Sequence, residues 1–159
     1  MYKLLLGLAI WAVIGMATDI NRISKRAAEA DMTIRTVDVD RPLQPYLMEF
    51  DRVMNDAGID VRYGSLVVIK FLPNMRAGLL GVAWGMNHDV TVIHINPVLW
   101  AKLSHQDRRM VMFHELAHDV FNLKHWSTLL MNPVKPQLLD KAFVDNAINL
   151  LIKHIKDGR

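Results

Sequence analysis

The sequence contains no cysteine. The chain can therefore form no disulfide, offer no thiolate ligand to zinc and carry no lipid on a cysteine. This absence leaves the cellular compartment open, because exported and intracellular proteins alike can lack cysteine.

An excess of charge of one sign is nearly absent. The chain has 19 Lys and Arg against 16 Asp and Glu, a formal net charge of +3. Lys3 is the only charged residue among residues 1–17, so the remainder carries +2. The basic residues are scattered, which is typical of a solvated surface, and we expect no nucleic-acid partner.

The sequence also lacks an apolar run of ordinary transmembrane length. The longest, Leu4 to Ala17, has 14 residues, whereas a membrane-spanning helix needs about 20. The run follows Lys3 and ends in Gly15-Met16-Ala17, which fits a signal peptide with a small-x-small cleavage site. Residues 1–17 are thus predicted to be a signal peptide or an uncleaved membrane anchor, with a buried core helix as the third alternative. The protein is expected to be exported, periplasmic or secreted, or associated with the membrane through residues 4–17.

The rest of the chain divides into a polar segment and one domain. Residues 18–40 are predicted to be a linker or stalk, with Thr33 to Val39 as an alternative first strand. Residues 41–159 are predicted to form a domain in which helices and strands follow one another. The expected elements are a helix from Pro42 or Pro45 to Ala57, a strand from Ser65 to Leu72, a hairpin of Gly78–Trp84 and Val90–Ile95, a helical turn at Val98–Trp100, a helix capped by Ser104 and a last helix from Pro136 to Lys156.

The segment from Met112 to His125 contains the pattern His-Glu-x-x-His. Residues four apart on a helix are separated by about 40° around the axis and about 6 Å along it. His114 and His118 therefore point the same way and can share one metal ion. Glu115 lies about 100° around the helix from His114, so it can take a proton from a metal-activated water without being a ligand.

A third histidine, His125, follows seven residues after His118. A continued helix would carry it too far along the axis, so the chain must stop and fold back. Asn122 lies between the two and is well suited to the left-handed conformation that ends helices. His114, His118 and His125 can then occupy three corners of a tetrahedron, the usual arrangement of catalytic zinc with one position left for water.

The stretch resembles the metzincin zinc metallopeptidases, and more closely the small metzincin-like peptidases of bacteria and their phages. Their consensus is H-E-x-x-H-x-x-G-x-x-H followed by a Met-turn. Here Asn122 stands near the usual glycine, and the third histidine comes one residue later. Leu130-Met131-Asn132-Pro133 is similar to the Met-turn, whose methionine forms an apolar floor under the metal.

The resemblance implies an α+β zincin fold, in which a twisted mixed sheet packs on the active-site helix and a C-terminal helix follows. It implies a zinc-dependent metalloendopeptidase that acts on a peptide or protein substrate. It also implies that Gly81, Val82 and Ala83 belong to the edge strand above the cleft, which binds an extended peptide. An ordinary edge strand remains the alternative there.

Two rival functions stay open. One is a zinc-binding structural or virion module without turnover, and the other is a zinc amidase acting on cell-wall peptides. The sequence also has no tyrosine after Tyr63, whereas some metzincins use a tyrosine after the Met-turn to stabilise the oxyanion. Any such stabilisation must come from zinc, a histidine or backbone groups.

Overall fold

The computed structural model describes residues 36–84, 90–132 and 139–158. The predicted signal peptide or anchor at residues 1–17 lies outside them. So do residues 18–35, the predicted hairpin turn at residues 85–89, and Pro133 and Pro136. No helix within the described ranges is both long enough and apolar enough to span a bilayer.

Four strands form one mixed sheet in the order β1-β2-β4-β3. They are β1 (Thr36–Val39), β2 (Leu66–Phe71), β3 (Gly81–Ala83) and β4 (Val90–Ile95). β1, β2 and β4 are parallel, while β3 runs antiparallel to β4 and is an edge strand of the sheet that the described residues form. The predicted mixed sheet and the antiparallel pairing of the hairpin strands are confirmed, although β3 is shorter than expected. β3 starts later than predicted partly because Gly78, the predicted first residue, has a φ of +82°, which is not a strand conformation.

β1 lies in the segment, residues 18–40, for which the sequence predicts either a linker or stalk or a first strand. Thr36 pairs with Leu66 and Val39 with Ile69. The Asp40 carboxylate then accepts a hydrogen bond of 2.8 Å from the Phe71 backbone N–H. Residues 36–39 therefore form a strand of the same sheet.

Four helices complete the described structure: α1 (Gln44–Asp56), α2 (Pro97–Trp100), α3 (His105–Phe121) and α4 (Lys141–Asp157). Pro45 lies in the first turn of α1, where its missing N–H costs nothing. Gly58 follows the end of α1 with φ of +72°, as a glycine after a helix often does. The Asn96 side chain caps α2 by accepting hydrogen bonds from the backbone N–H groups of Val98 and Leu99. These predicted boundaries are confirmed to within two residues.

The prediction that the last helix begins at Pro136 is wrong. Leu139 and Asp140 are not helical, and α4 begins at Lys141. The reason is a local cap: the Asp140 carboxylate accepts a hydrogen bond of 2.7 Å from the Phe143 N–H. The sequence also predicts one apolar face for this helix, formed by Leu139, Phe143, Ala147, Leu150 and Leu151. This prediction is partly wrong, since Phe143 is 39% and Leu150 42% exposed.

The core lies between the sheet and the helices, with α3 at its centre. This helix packs against β3, β4, α1 and α4. Phe113 meets Phe50 of α1 edge to face, with ring centroids 5.1 Å apart. Arg109 donates to Glu49 of α1 at 2.8 Å and to Asp145 of α4 at 3.0 Å. One guanidinium thus joins three helices, and the coarse α+β class of the prediction is confirmed.

Candidate metal centre

The helix α3 is fixed at its start by reciprocal hydrogen bonds. Ser104 Oγ accepts from the Asp107 N–H at 3.1 Å, and the Asp107 carboxylate accepts from the Ser104 N–H at 3.2 Å. The two bonds form a capping box, and the predicted cap by Ser104 is confirmed. One turn separates His114 from His118 further along the helix, and their ring centroids are 4.6 Å apart.

The end of α3 brings in the third histidine. Asn122 adopts the left-handed conformation, with φ of 52° and ψ of 35°, and its N–H donates to the Ala117 carbonyl. The chain reverses there, as predicted. The His125 ring centroid lies 5.3 Å from that of His114 and 4.7 Å from that of His118. One potential ligand atom from each of the three histidines lies within 4.8 Å of the other two.

Two backbone carbonyls orient the helical histidines. Nδ1 of His114 lies 2.9 Å from the Leu130 carbonyl oxygen, and Nδ1 of His118 lies 2.6 Å from that of Leu123. A carbonyl can only accept, so each Nδ1 carries the hydrogen and donates it. Each Nε2 is then left with a free lone pair, which is the tautomer that binds a metal through Nε2.

Burial keeps these rings neutral. It lowers the pKa of His114 from 6.5 to about 4, against a smaller opposing effect of the Leu130 carbonyl. Burial also lowers the pKa of His118. Only a neutral imidazole can ligate a metal, so the fold holds both rings in the ligating form.

The donor set fits a zinc ion. The Nε2 atoms of His114 and His118 are 3.1 Å apart, and with both hydrogens on Nδ1 neither nitrogen can donate to the other. Two lone pairs at this distance repel each other unless a cation lies between them. Tetrahedral zinc with Zn–N bonds of about 2.0–2.1 Å separates its nitrogen ligands by about 3.3–3.4 Å. This is the one cluster of potential metal ligands found among the described residues.

Glu115 lies beside the histidines, under strand β3. Glu115 is only 7% exposed. Burial raises the pKa of its carboxyl from 4.5 to about 8. A Cβ atom built on Gly81 would lie 2.5 Å from Glu115 Oε1. The carboxyl is therefore in direct contact with the backbone of the edge strand.

Met131 is fully buried. Its N–H donates to the Thr128 carbonyl at 3.1 Å, and its own carbonyl accepts from the Trp126 N–H at 3.1 Å. The turn that contains Met131 thus closes back on the loop after His125. Through the Leu130 carbonyl, the same turn orients His114.

A cavity of about 520 Å³ opens in front of the histidines. Gly81, Val82 and Ala83 form one wall, as the prediction of a substrate-binding strand requires. The three histidines and Glu115 also line it, whereas Met131 is not among the lining residues. The remaining lining is apolar except for Asn132, and it comprises Gly78, Leu79, Leu80, Met110, Val111, Leu129, Leu130, Leu139 and Phe143.

Sequence reasoning missed two kinds of feature at this site. The carbonyls of Leu123 and Leu130 carry no signal, because every residue has a carbonyl. The contact between Gly81 and Glu115 joins residues that are distant in the sequence. Tyr63 does not compensate for the missing late tyrosine: its hydroxyl bonds to Asp51, and it is not among the residues that line the cavity.

Comparison with known proteins adds no relative: no family model, curated protein or solved structure was found to match the chain.

Proposed function

We propose that the chain is a zinc-dependent metalloendopeptidase with a metzincin-like zincin site. One observation carries the proposal. Nδ1 of His114 and Nδ1 of His118 each donate to a backbone carbonyl, and the Nε2 atoms of the two rings lie 3.1 Å apart. His125 completes the three-nitrogen set, and a carboxyl in the adjacent helical position faces the same cavity.

Glu115 is the general base and then the general acid of the proposed reaction. Zinc, when bound, supplies Lewis acidity, which polarises the scissile carbonyl and makes a water molecule more acidic. A neighbouring cation favours the charged carboxylate over the neutral form that burial favours. Glu115 then takes a proton from the attacking water and delivers it to the nitrogen of the leaving amine.

The open edge of β3 supports a peptide as the substrate. The Trp84 N–H donates to the Val92 carbonyl, and the Leu80 carbonyl accepts from the Asn96 N–H. Because backbone groups alternate in direction along an antiparallel strand, Gly81 and Ala83 direct theirs to the open side. In the proposed complex an extended peptide pairs with these groups, with its scissile bond over the histidines.

The walls of the cavity support a large apolar side chain next to the scissile bond. Met110, Leu139 and Phe143 line the part of the cavity contributed by α3 and by the residues around the start of α4. Apolar walls gain free energy when they exclude water from an apolar side chain. They offer no counter-charge to a charged one. We therefore expect cleavage next to residues such as Leu, Phe or Met.

The decisive test replaces Glu115 with Gln. This change keeps the side-chain size but removes the base, so we expect full zinc content and loss of peptide hydrolysis. Metal analysis and cleavage of a mixed peptide library, read by mass spectrometry, measure the two outcomes. Asp60→Asn, which removes an exposed carboxylate, is the matched control and should cleave normally. Hydrolysis by the Gln variant at the wild-type rate would refute the proposal.

Zinc content provides a second test. His125→Ala should lose zinc, because two nitrogens alone leave the site incomplete. His154→Ala, an exposed histidine of α4, should keep it. A zinc-loaded wild type that cleaves neither unrelated proteins nor purified cell wall would favour the structural module, and cleavage of cell wall alone would favour the amidase.

Export or membrane anchoring through residues 4–17 remains part of the proposal. N-terminal sequencing of exported protein tests it, since a cleaved signal peptide leaves Thr18 as the first residue.

A further inference from the structure

Gly81 makes an unusually close approach to Glu115. A Cβ atom at position 81 would lie 2.5 Å from Oε1, 2.9 Å from Cδ and 3.0 Å from Cγ of Glu115. Real Cβ atoms essentially never come closer than 3.0 Å to another heavy atom. Any side chain at position 81 would therefore displace the Glu115 carboxyl or the strand.

The backbone conformation gives no other reason for glycine here. Gly58 and Gly78 have φ of +72° and +82°, but Gly81 lies outside the left-handed region and pairs with Ile95 as an ordinary strand residue. Peptide binding by β3 gives no reason either, because it uses the backbone N–H and C=O, which alanine also has. Alanine is in addition favoured over glycine in a strand, since it loses less conformational freedom on folding.

We propose that Gly81 is a positioning residue for Glu115: the missing side chain lets the carboxyl lie directly under the strand that holds the peptide. The inference rests on the proposed peptidase function and adds a role that strand pairing does not require. The contact sets the distance between the base and the edge where the scissile bond lies. A methyl group at position 81 pushes Oε1 outward by an amount on the order of 1 Å, a misplacement that costs about 10²-fold in rate.

The test is Gly81→Ala in the full zinc-loaded chain. We expect kcat to fall about 100-fold, while KM and zinc content stay near those of the wild type, because the backbone groups and the three histidines are unchanged. Gly158→Ala adds the same methyl group at the end of α4 and should leave activity unchanged. Wild-type kcat in Gly81→Ala would overturn the inference and leave the proposed function intact.

A stability cycle tests the same contact without any substrate. Gly81→Ala should lower Tm by about 2–4 °C in the wild-type background, as overpacking by about 1 kcal/mol does. In the Glu115→Ala background, where the carboxyl is gone, the same change should leave Tm unchanged or raise it. An equal fall of Tm in both backgrounds would overturn the inference. A double variant with a Tm no higher than that of Gly81→Ala alone would overturn it as well. If the wild type cleaves no peptide but the cycle shows the coupling, the proposed function fails while the Gly81–Glu115 contact stands.

Discussion

The buried carboxyl of Glu115 predicts how the stability of the metal-free protein depends on pH. Burial raises its pKa from 4.5 to about 8, so the folded chain keeps a proton that the unfolded chain loses. The free energy of unfolding therefore falls as pH rises from 4.5 through about 8. The perturbation that isolates this effect is Glu115→Gln, which cannot titrate.

His114 has the opposite effect over a different range. Its pKa is lowered from 6.5 to about 4, so it reduces stability as pH falls below 6.5 and has no effect above that value. Between pH 6.5 and 8 only the Glu115 slope remains of the two. One proton corresponds to about 1.4 kcal/mol per pH unit, so the metal-free wild type should lose about 2 kcal/mol across this window.

Urea unfolding in the presence of a chelator measures the effect. The wild type should become less stable between pH 6.5 and 8, whereas Glu115→Gln should lack this decline. Asp60→Asn, which removes an exposed carboxylate, should follow the wild type. Equal pH slopes for the wild type and the Gln variant would show that Glu115 is not buried as described, and the reasoning would be refuted.

Two further predictions concern local structure. Asn122→Gly should keep the free energy of unfolding and the zinc affinity of the wild type. Asn122→Val should cost about 1–2 kcal/mol or more and weaken zinc binding, because a β-branched residue resists a φ of 52°. Urea unfolding and zinc titration measure the two effects, and equal results for the two variants would contradict this prediction. Asp107→Ala should cost about 1–2 kcal/mol in urea unfolding, since it removes one half of the capping box of α3 and the acceptor of the Leu139 N–H. An unchanged unfolding midpoint would contradict this role of Asp107.

Local signals made the helix α3 predictable. Ser104 and Asp107 mark its start and Asn122 its end, and each acts through groups only a few residues away. The approach of His125 to the other two histidines follows from the same left-handed residue. The predicted start of α4 at Pro136 is wrong because Asp140 supplies the cap of this helix.

Contacts between distant segments were not predictable. Among the described strands β3 pairs with β4 alone and so lies at the edge beside the cavity, and this order depends on packing. The close approach of Gly81 to Glu115 likewise depends on where β3 crosses α3. A glycine in a short strand has several ordinary explanations, so its partner emerges only in three dimensions.

The carbonyls that orient the two helical histidines both belong to the segment that also carries His125. Leu123 precedes this histidine by two residues and Leu130 follows it by five. The position of His125 and the orientation of His114 and His118 thus depend on the same segment. If zinc binds as proposed, its binding should consequently be cooperative, and proteolytic cleavage of this loop should release the ion from all three histidines at once.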